Sequence, residues 1–221
     1  MGKMNIKTIQ LEVSLATSYL HEPAEGSERG LLVLHGFSDN AVSVKKRLLG
    51  SEPLSRFHVV VPNGLFPSPT KKEDEYKEGY AWYFLDPQTR REMISPHFAA
   101  ESLLKLISQV GLSHLKWTIL GFSQGGFFAP YLAKAGLLCE RIIGVGAGYR
   151  VEAYEGLSHL HVFAIHGEKD VIVPFEQAKA GFELLQKRGM GQKFYAIPDL
   201  GHTMNDVCRK IIRDLLHETA Q

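Results

Sequence analysis

The chain has 221 residues, 44% of them hydrophobic and 22% charged, a length that α/β folds often reach as one domain and a composition that excludes disordered and collagen-like chains. Its 25 Lys and Arg against 24 Asp and Glu leave a formal charge of +1, so no strong field draws it to nucleic acid or anionic lipid. Cys139 and Cys208 stand far apart, which is neither a disulfide framework nor a zinc spacing. The N-terminus has no continuous apolar segment and carries Ile6 where a myristoylation signal has Ser or Thr, and no apolar run approaches the ~18 residues that span a bilayer. These features predict a soluble, cytoplasmic protein without stable membrane anchoring, with a homodimer left open.

Ile9, Leu11, Val13 and Leu15 alternate with Gln10, Glu12 and Ser14, the pattern of a strand with one wet face. The later strands are short apolar runs, as expected where both faces of a parallel sheet are covered: Leu31 to Leu34, His58 to Val61, Trp117 to Leu120, Ile142 to Val145, Val162 to Ile165 and Phe194 to Ile197. Residues 62–92 show little periodicity, hold four prolines and the charge run Lys71-Lys72-Glu73-Asp74-Glu75, and read as an irregular substrate-side loop whose charges are solvated. Ser95-Pro96 starts a helix with Ala100, Leu103, Leu104 and Ile107 on its inner face. A helix spans Gly125 to Ala135. Another opens at Pro174, buries Ala178, Phe182 and Leu185, and stops at Gly189. The last begins near Thr203, with Asp206 as an approximate capping box, and buries Val207, Ile211, Leu215 and Met204. Strand and helix in alternation predict a doubly wound, mostly parallel α/β sheet flanked by helices, in one domain over residues 1–221.

Gly121-Phe122-Ser123-Gln124-Gly125 matches G-x-S-x-G and lies between a predicted strand and a predicted helix, the context in which a strained turn lifts a serine above the carboxyl edge of a sheet. A serine hydroxyl is a poor nucleophile unless a histidine accepts its proton and a carboxylate fixes that histidine's tautomer. Asp170 and His202 each follow a later predicted strand, in loops on the same edge. Glu168 and Asp199 are lesser candidates for the acid. Leu34-His35-Gly36-Phe37-Ser38-Asp39 follows a strand, and the backbone N–H groups of Phe37 and Gln124 are candidates for an oxyanion hole. His35 reads as a buried hydrogen-bonding residue. Trp82 and Tyr83 are candidates for substrate contact, with packing on the domain as the alternative. His159 and His161 fall on one face of a predicted strand but lack further ligands, so no metal is expected. Neither G-x-G-x-x-G after a strand nor G-x-x-x-x-G-K-[ST] occurs, so no nucleotide cofactor is indicated.

The stretches Leu34 to Asp39, Gly121-Phe122-Ser123-Gln124-Gly125-Gly126, Gly167 to Pro174 with Asp170 and Val173-Pro174, and Gly201-His202 together resemble the phospholipase/carboxylesterase family of α/β-hydrolases. The resemblance runs from about Gly30 to the C-terminus. It implies an α/β-hydrolase fold, Ser123 as nucleophile, Asp170 and His202 as its partners, and Phe37 with Gln124 at the oxyanion positions. It also implies no cofactor and a small-molecule ester or thioester substrate. Pro69-Thr70 and Trp82-Tyr83 are similar to substrate-side pairs of that family. Ser38 stands where glycine is usual, and Pro130 interrupts the helix after Ser123, where it removes a backbone bond to Gly126. The expected activity is that of a carboxylesterase, with acyl-protein thioesterase and lysophospholipase as alternatives within the family. A peptidase or a dienelactone-type hydrolase is a nearer alternative among enzymes, the latter disfavoured because it usually has Cys at the position of Ser123. A non-catalytic ligand-binding homologue is the alternative from another class.

Overall fold

A computed structural model describes residues 15–218 apart from Glu52 and Arg90. The predicted strand at Ile9 to Leu15 lies, save for Leu15, outside the described residues. A seven-stranded sheet is formed by β1 (Tyr19–Glu22), β2 (Arg29–Leu34), β3 (His58–Pro62), β4 (Lys116–Phe122), β5 (Cys139–Val145), β6 (His161–Gly167) and β7 (Gly191–Ile197). Its order is β1-β3-β2-β4-β5-β6-β7, with only β1 antiparallel to its neighbour.

Alternation along the buried strands feeds two cores. Leu32, Leu34, Ile119, Ile142 and Val162 face α2 (Pro96–Gln109), α3 (Gln124–Lys134) and α4 (Phe175–Lys187), meeting Leu103, Phe128 and Phe182. Leu31, Val33, Leu120, Ile143 and Ile165 face α1 (Ala41–Leu48) and α5 (Asp206–His217), meeting Val44, Ile212 and Leu215. Among the described residues no helix is long and apolar enough to cross a membrane. Both cysteines are buried and unpaired, and burial pushes the Cys139 thiol up to about 12.

Helix signals hold at α2, where Ser95 accepts from the His97 N–H and Pro96 takes the first turn. At α5 the structure differs. Asn205 accepts from the Cys208 N–H, so the helix begins at Asp206. Its buried face is Cys208, Ile212, Leu215 and Leu216, Ile211 is half-buried, and Val207 is 51% exposed. Pro130 is accommodated inside α3, which runs on to Lys134.

The segment 62–92 is more regular than expected. Phe66–Pro67 pairs with Tyr80–Ala81, Thr70–Lys72 with Glu75–Lys77, and Phe84–Leu85 with Glu92–Ile94. The charge run is the tip of the middle ribbon, and every residue of that ribbon's two strands is exposed. The other ribbons lie over the turn after β2: Ser38 donates its N–H to Tyr80 and the Tyr80 N–H donates to Asp39. This fixes Ser38 at φ 57°, a left-handed backbone that glycine adopts without strain and serine does not.

The chain passes from β2 to β3 on one side and returns to β4 on the other. The strand order therefore reverses between β2 and β4, and a crevice opens there at their carboxyl ends.

Candidate active site

Ser123 occupies the turn between β4 and α3 with φ 48° and ψ −117°, a strained backbone costing on the order of 1 to 3 kcal/mol. The turn closes because Gly121 and Gly125 lack side chains. A Cβ on Gly121 would stand 2.5 Å from the carbonyl carbon of Gly125, and one on Gly125 would stand 2.5 Å from the Leu34 carbonyl oxygen. The Ser123 hydroxyl thus sits at the N-terminus of α3, where the aligned backbone dipoles favour negative charge.

The loop after β7 brings His202 to this hydroxyl, with Nε2 2.9 Å from Ser123 Oγ. The loop after β6 brings Asp170 to the other ring nitrogen, with Oδ2 2.7 Å from His202 Nδ1. A carboxylate accepts, so Nδ1 carries the proton and Nε2 is left to accept from the serine hydroxyl. Asp170 is 4% exposed, and its Oδ1 accepts from the N–H groups of Ile172 and Val173 at 3.0 and 2.9 Å. The Phe122 ring lies 5.1 Å from the His202 ring and shields one side of it. Glu168 and Asp199 are turned to solvent, and Asp199 pairs with Lys169.

A second histidine stands behind the carboxylate. His166 is fully buried at the end of β6; its Nε2 donates to the Val173 carbonyl at 2.8 Å and lies 3.4 Å from Asp170 Oδ2. Burial lowers its pKa, which favours the neutral ring. Its place four residues before Asp170 in His166-Gly167-Glu168-Lys169-Asp170 was its one sequence signal.

Phe37 follows β2 and Gln124 opens α3 just after β4, so both stand beyond the carboxyl ends of the two strands that flank the crevice. Among the described residues no backbone acceptor takes the N–H of either. The Gln124 side chain has a separate task that its sequence position does not reveal: Oε1 accepts from the Trp82 N–H at 3.0 Å and Nε2 donates to the Tyr83 carbonyl at 2.8 Å. It clips the 80–84 segment to the Ser123 turn.

His35 is buried, accepts from the Gly64 N–H on Nε2 and donates from Nδ1 to the Gly36 carbonyl. Burial lowers its pKa to about 4, so the ring is neutral. Trp82 stacks 4.6 Å from His35 and 5.1 Å from Phe128, and its indole N–H donates to the His35 carbonyl at 2.8 Å. With no exposed surface, Trp82 packs on the domain and does not line the crevice. Tyr83, the next residue after the bend at Trp82, does line it. The cavity over Ser123 has a volume of about 530 Å³, with Phe37, Phe84, Phe127 and Ile172 among its walls.

The two strand histidines are elsewhere. His159 lies in a turn and only His161 opens β6, so they do not share a strand face. Both border a pocket with Arg29 and Arg141 at the amino ends of the strands. Among the described residues no group of three or more His, Cys, Asp or Glu side chains is placed to hold a metal ion.

Comparison with known proteins places this geometry. The pattern of the phospholipase/carboxylesterase family matches residues 16–219. Esterase YpfH of Escherichia coli K12 is 24% identical over 208 residues, which cover 90% of this chain and 87% of that protein. A carboxylesterase from Mesorhizobium loti superposes with a TM-score of 0.69 at 20% identity, covering 95% of this chain and 99% of that one. An acyl-protein thioesterase 2 from Zea mays gives a TM-score of 0.62 at 18% identity, covering 91% of this chain and all of that one. Both structures share the α/β-hydrolase fold. With the match running through nearly all the described residues, the chain belongs to the phospholipase/carboxylesterase family.

Proposed function

We propose that this protein is a cofactor-independent serine hydrolase that cleaves carboxylic esters or thioesters through an acyl-enzyme. The observation that carries the reading is the unbroken hydrogen-bonded series Ser123 Oγ, His202, Asp170, which ends in the cavity over Ser123. In the first half-reaction His202 Nε2 takes the Ser123 proton while Oγ bonds to the substrate carbonyl carbon. The carbonyl oxygen becomes an oxyanion, held by the N–H groups of Phe37 and Gln124. Each such donor contributes on the order of 3 kcal/mol to the transition state. The protonated His202 then gives its Nε2 proton to the departing alcohol or thiol. In the second half-reaction water gives a proton to Nε2, its oxygen bonds to the acyl carbon, and the carboxylic acid leaves as Ser123 recovers its proton. Asp170 holds the imidazole in its Nδ1–H tautomer and stabilises the imidazolium at each step.

Family membership supports ester hydrolysis, and the two buried, unpaired cysteines suit a reducing, cytoplasmic setting. The test is turnover of p-nitrophenyl butyrate. Ser123→Ala is expected to lower kcat on the order of 10⁶-fold while unfolding at the wild-type denaturant midpoint. Turnover within tenfold of wild type in that variant rejects the serine mechanism.

A further inference from the structure

Several arginines are tied down by side-chain contacts. Arg29 and Arg141 lie over Phe57 and Phe163, Arg141 also donates to the Leu215 carbonyl, and Arg47 and Arg209 pair with Asp39 and Asp206. Among the described residues, Arg150 is the arginine that lines the cavity over Ser123. It follows β5 at the head of the short 3-10 turn Val151–Tyr154, is exposed, and faces the cavity that contains Ser123. No ion pair or hydrogen bond to its guanidinium occurs among the described residues.

Arg150 is also the only charged side chain lining that cavity among the described residues. Of the other polar walls, the Gln124 amide holds Trp82 and Tyr83 and the Tyr149 hydroxyl faces the Gly144 carbonyl, while Gln177 is exposed but uncharged. The Asp170 carboxylate is buried behind His202. Glu92 lines a narrow adjoining crevice that shares Arg150 with the cavity, and would repel an anion from that crevice. A mixed cleft with several aromatic and aliphatic walls and one unpartnered guanidinium fits a molecule that is apolar near its reacting carbonyl and anionic farther out. Guanidinium binds carboxylate and phosphate through paired donors, and a half-enclosed apolar wall strengthens the attraction.

We propose that Arg150 makes this site selective for esters or thioesters that carry a carboxylate or phosphate separated from the scissile bond by an apolar segment. This rests on the esterase reading above and names its substrate class. The test compares kcat/KM within two matched pairs. One pair is p-nitrophenyl hexanoate and the p-nitrophenyl monoester of adipic acid, with the charge on the acyl side. The other is the hexanoate esters of 4-ethylphenol and of 4-hydroxyphenylacetate, with the charge on the leaving side.

In at least one pair the anionic-to-neutral ratio should fall on the order of 10-fold in Arg150→Gln, the scale of one charged hydrogen bond. It should fall further in Arg150→Glu and be partly kept in Arg150→Lys. The wild-type ratio should also fall when salt is raised from about 0.05 to 0.5 M. The responding pair tells which side of the ester faces Arg150. Ser123-dependent turnover with the same ratio in all four proteins overturns the Arg150 assignment alone. Absence of Ser123-dependent turnover of every ester overturns the esterase reading and this assignment with it.

Discussion

Replacing Trp82 by Phe separates a packing role from a substrate role. The indole is fully buried between His35 and Phe128 and donates to the His35 carbonyl. Phenyl lacks two of its ring carbons, a loss of about 1.5 kcal/mol of burial at roughly 0.8 kcal/mol per carbon. It also leaves a buried carbonyl without that donor, which costs about 1 to 3 kcal/mol. The sum is about 3 kcal/mol, large against the usual margin of about 5 to 15 kcal/mol but not enough to unfold the protein. With a urea dependence of about 2 kcal/mol per molar, the unfolding midpoint should fall by about 1.5 M. KM for p-nitrophenyl butyrate should stay within about twofold, because Tyr83 and not Trp82 faces the cavity. An unchanged midpoint together with a tenfold rise in KM would refute this account of the 80–84 segment.

Asp170→Asn should lower kcat on the order of 10⁴-fold, since an amide favours the wrong His202 tautomer, whereas Glu168→Gln should stay within about twofold; steady-state kinetics with the exchanged pattern would move the acid to Glu168. His35, lowered from 6.5 to about 4 by burial, is neutral in the fold while the unfolded chain takes up a proton. Its contribution, about 3 kcal/mol, is therefore complete above pH 6.5 and lost as pH falls from 6.5 towards 4. Urea unfolding at pH 6.5 and 5 should show that part of the slope in wild type and not in His35→Gln; equal slopes would contradict the neutral ring. Gly121→Ala drives a Cβ into the backbone of Gly125 and Gly126 and should cost about 3 kcal/mol, a fall in Tm of about 9 °C, which calorimetry would contradict by finding no change.

Legibility in the sequence followed burial. The interior strands are apolar on both faces, so each stood out as a short run, and the loops carrying Ser123, Asp170 and His202 could be assigned to one sheet edge from chain order alone. Residues 66–94 gave no such signal because strands of two or three residues are too short to display alternation. At α5 the polar Asn205 cap, two residues after the predicted start at Thr203, displaced the stripe and left Val207 outside. Trp82 and Tyr83 could not be sorted, since nothing local says which of two neighbouring aromatic residues faces in. The side-chain bonds of Gln124 reach residues about 40 positions away, and the contact of His166 with Asp170 depends on the loop's folded path. Both roles exist only in three dimensions.

The central claim is that His202 and Asp170 activate the Ser123 hydroxyl. It is tested most directly by treating the protein with a fluorophosphonate at neutral pH and locating the adduct by peptide mass spectrometry. One equivalent on Ser123, with labelling strongly slowed in His202→Ala, is the expected result. No adduct on Ser123, or an equal rate in the variant, would contradict the claim and leave a hydrolase fold that binds ligands without turning them over.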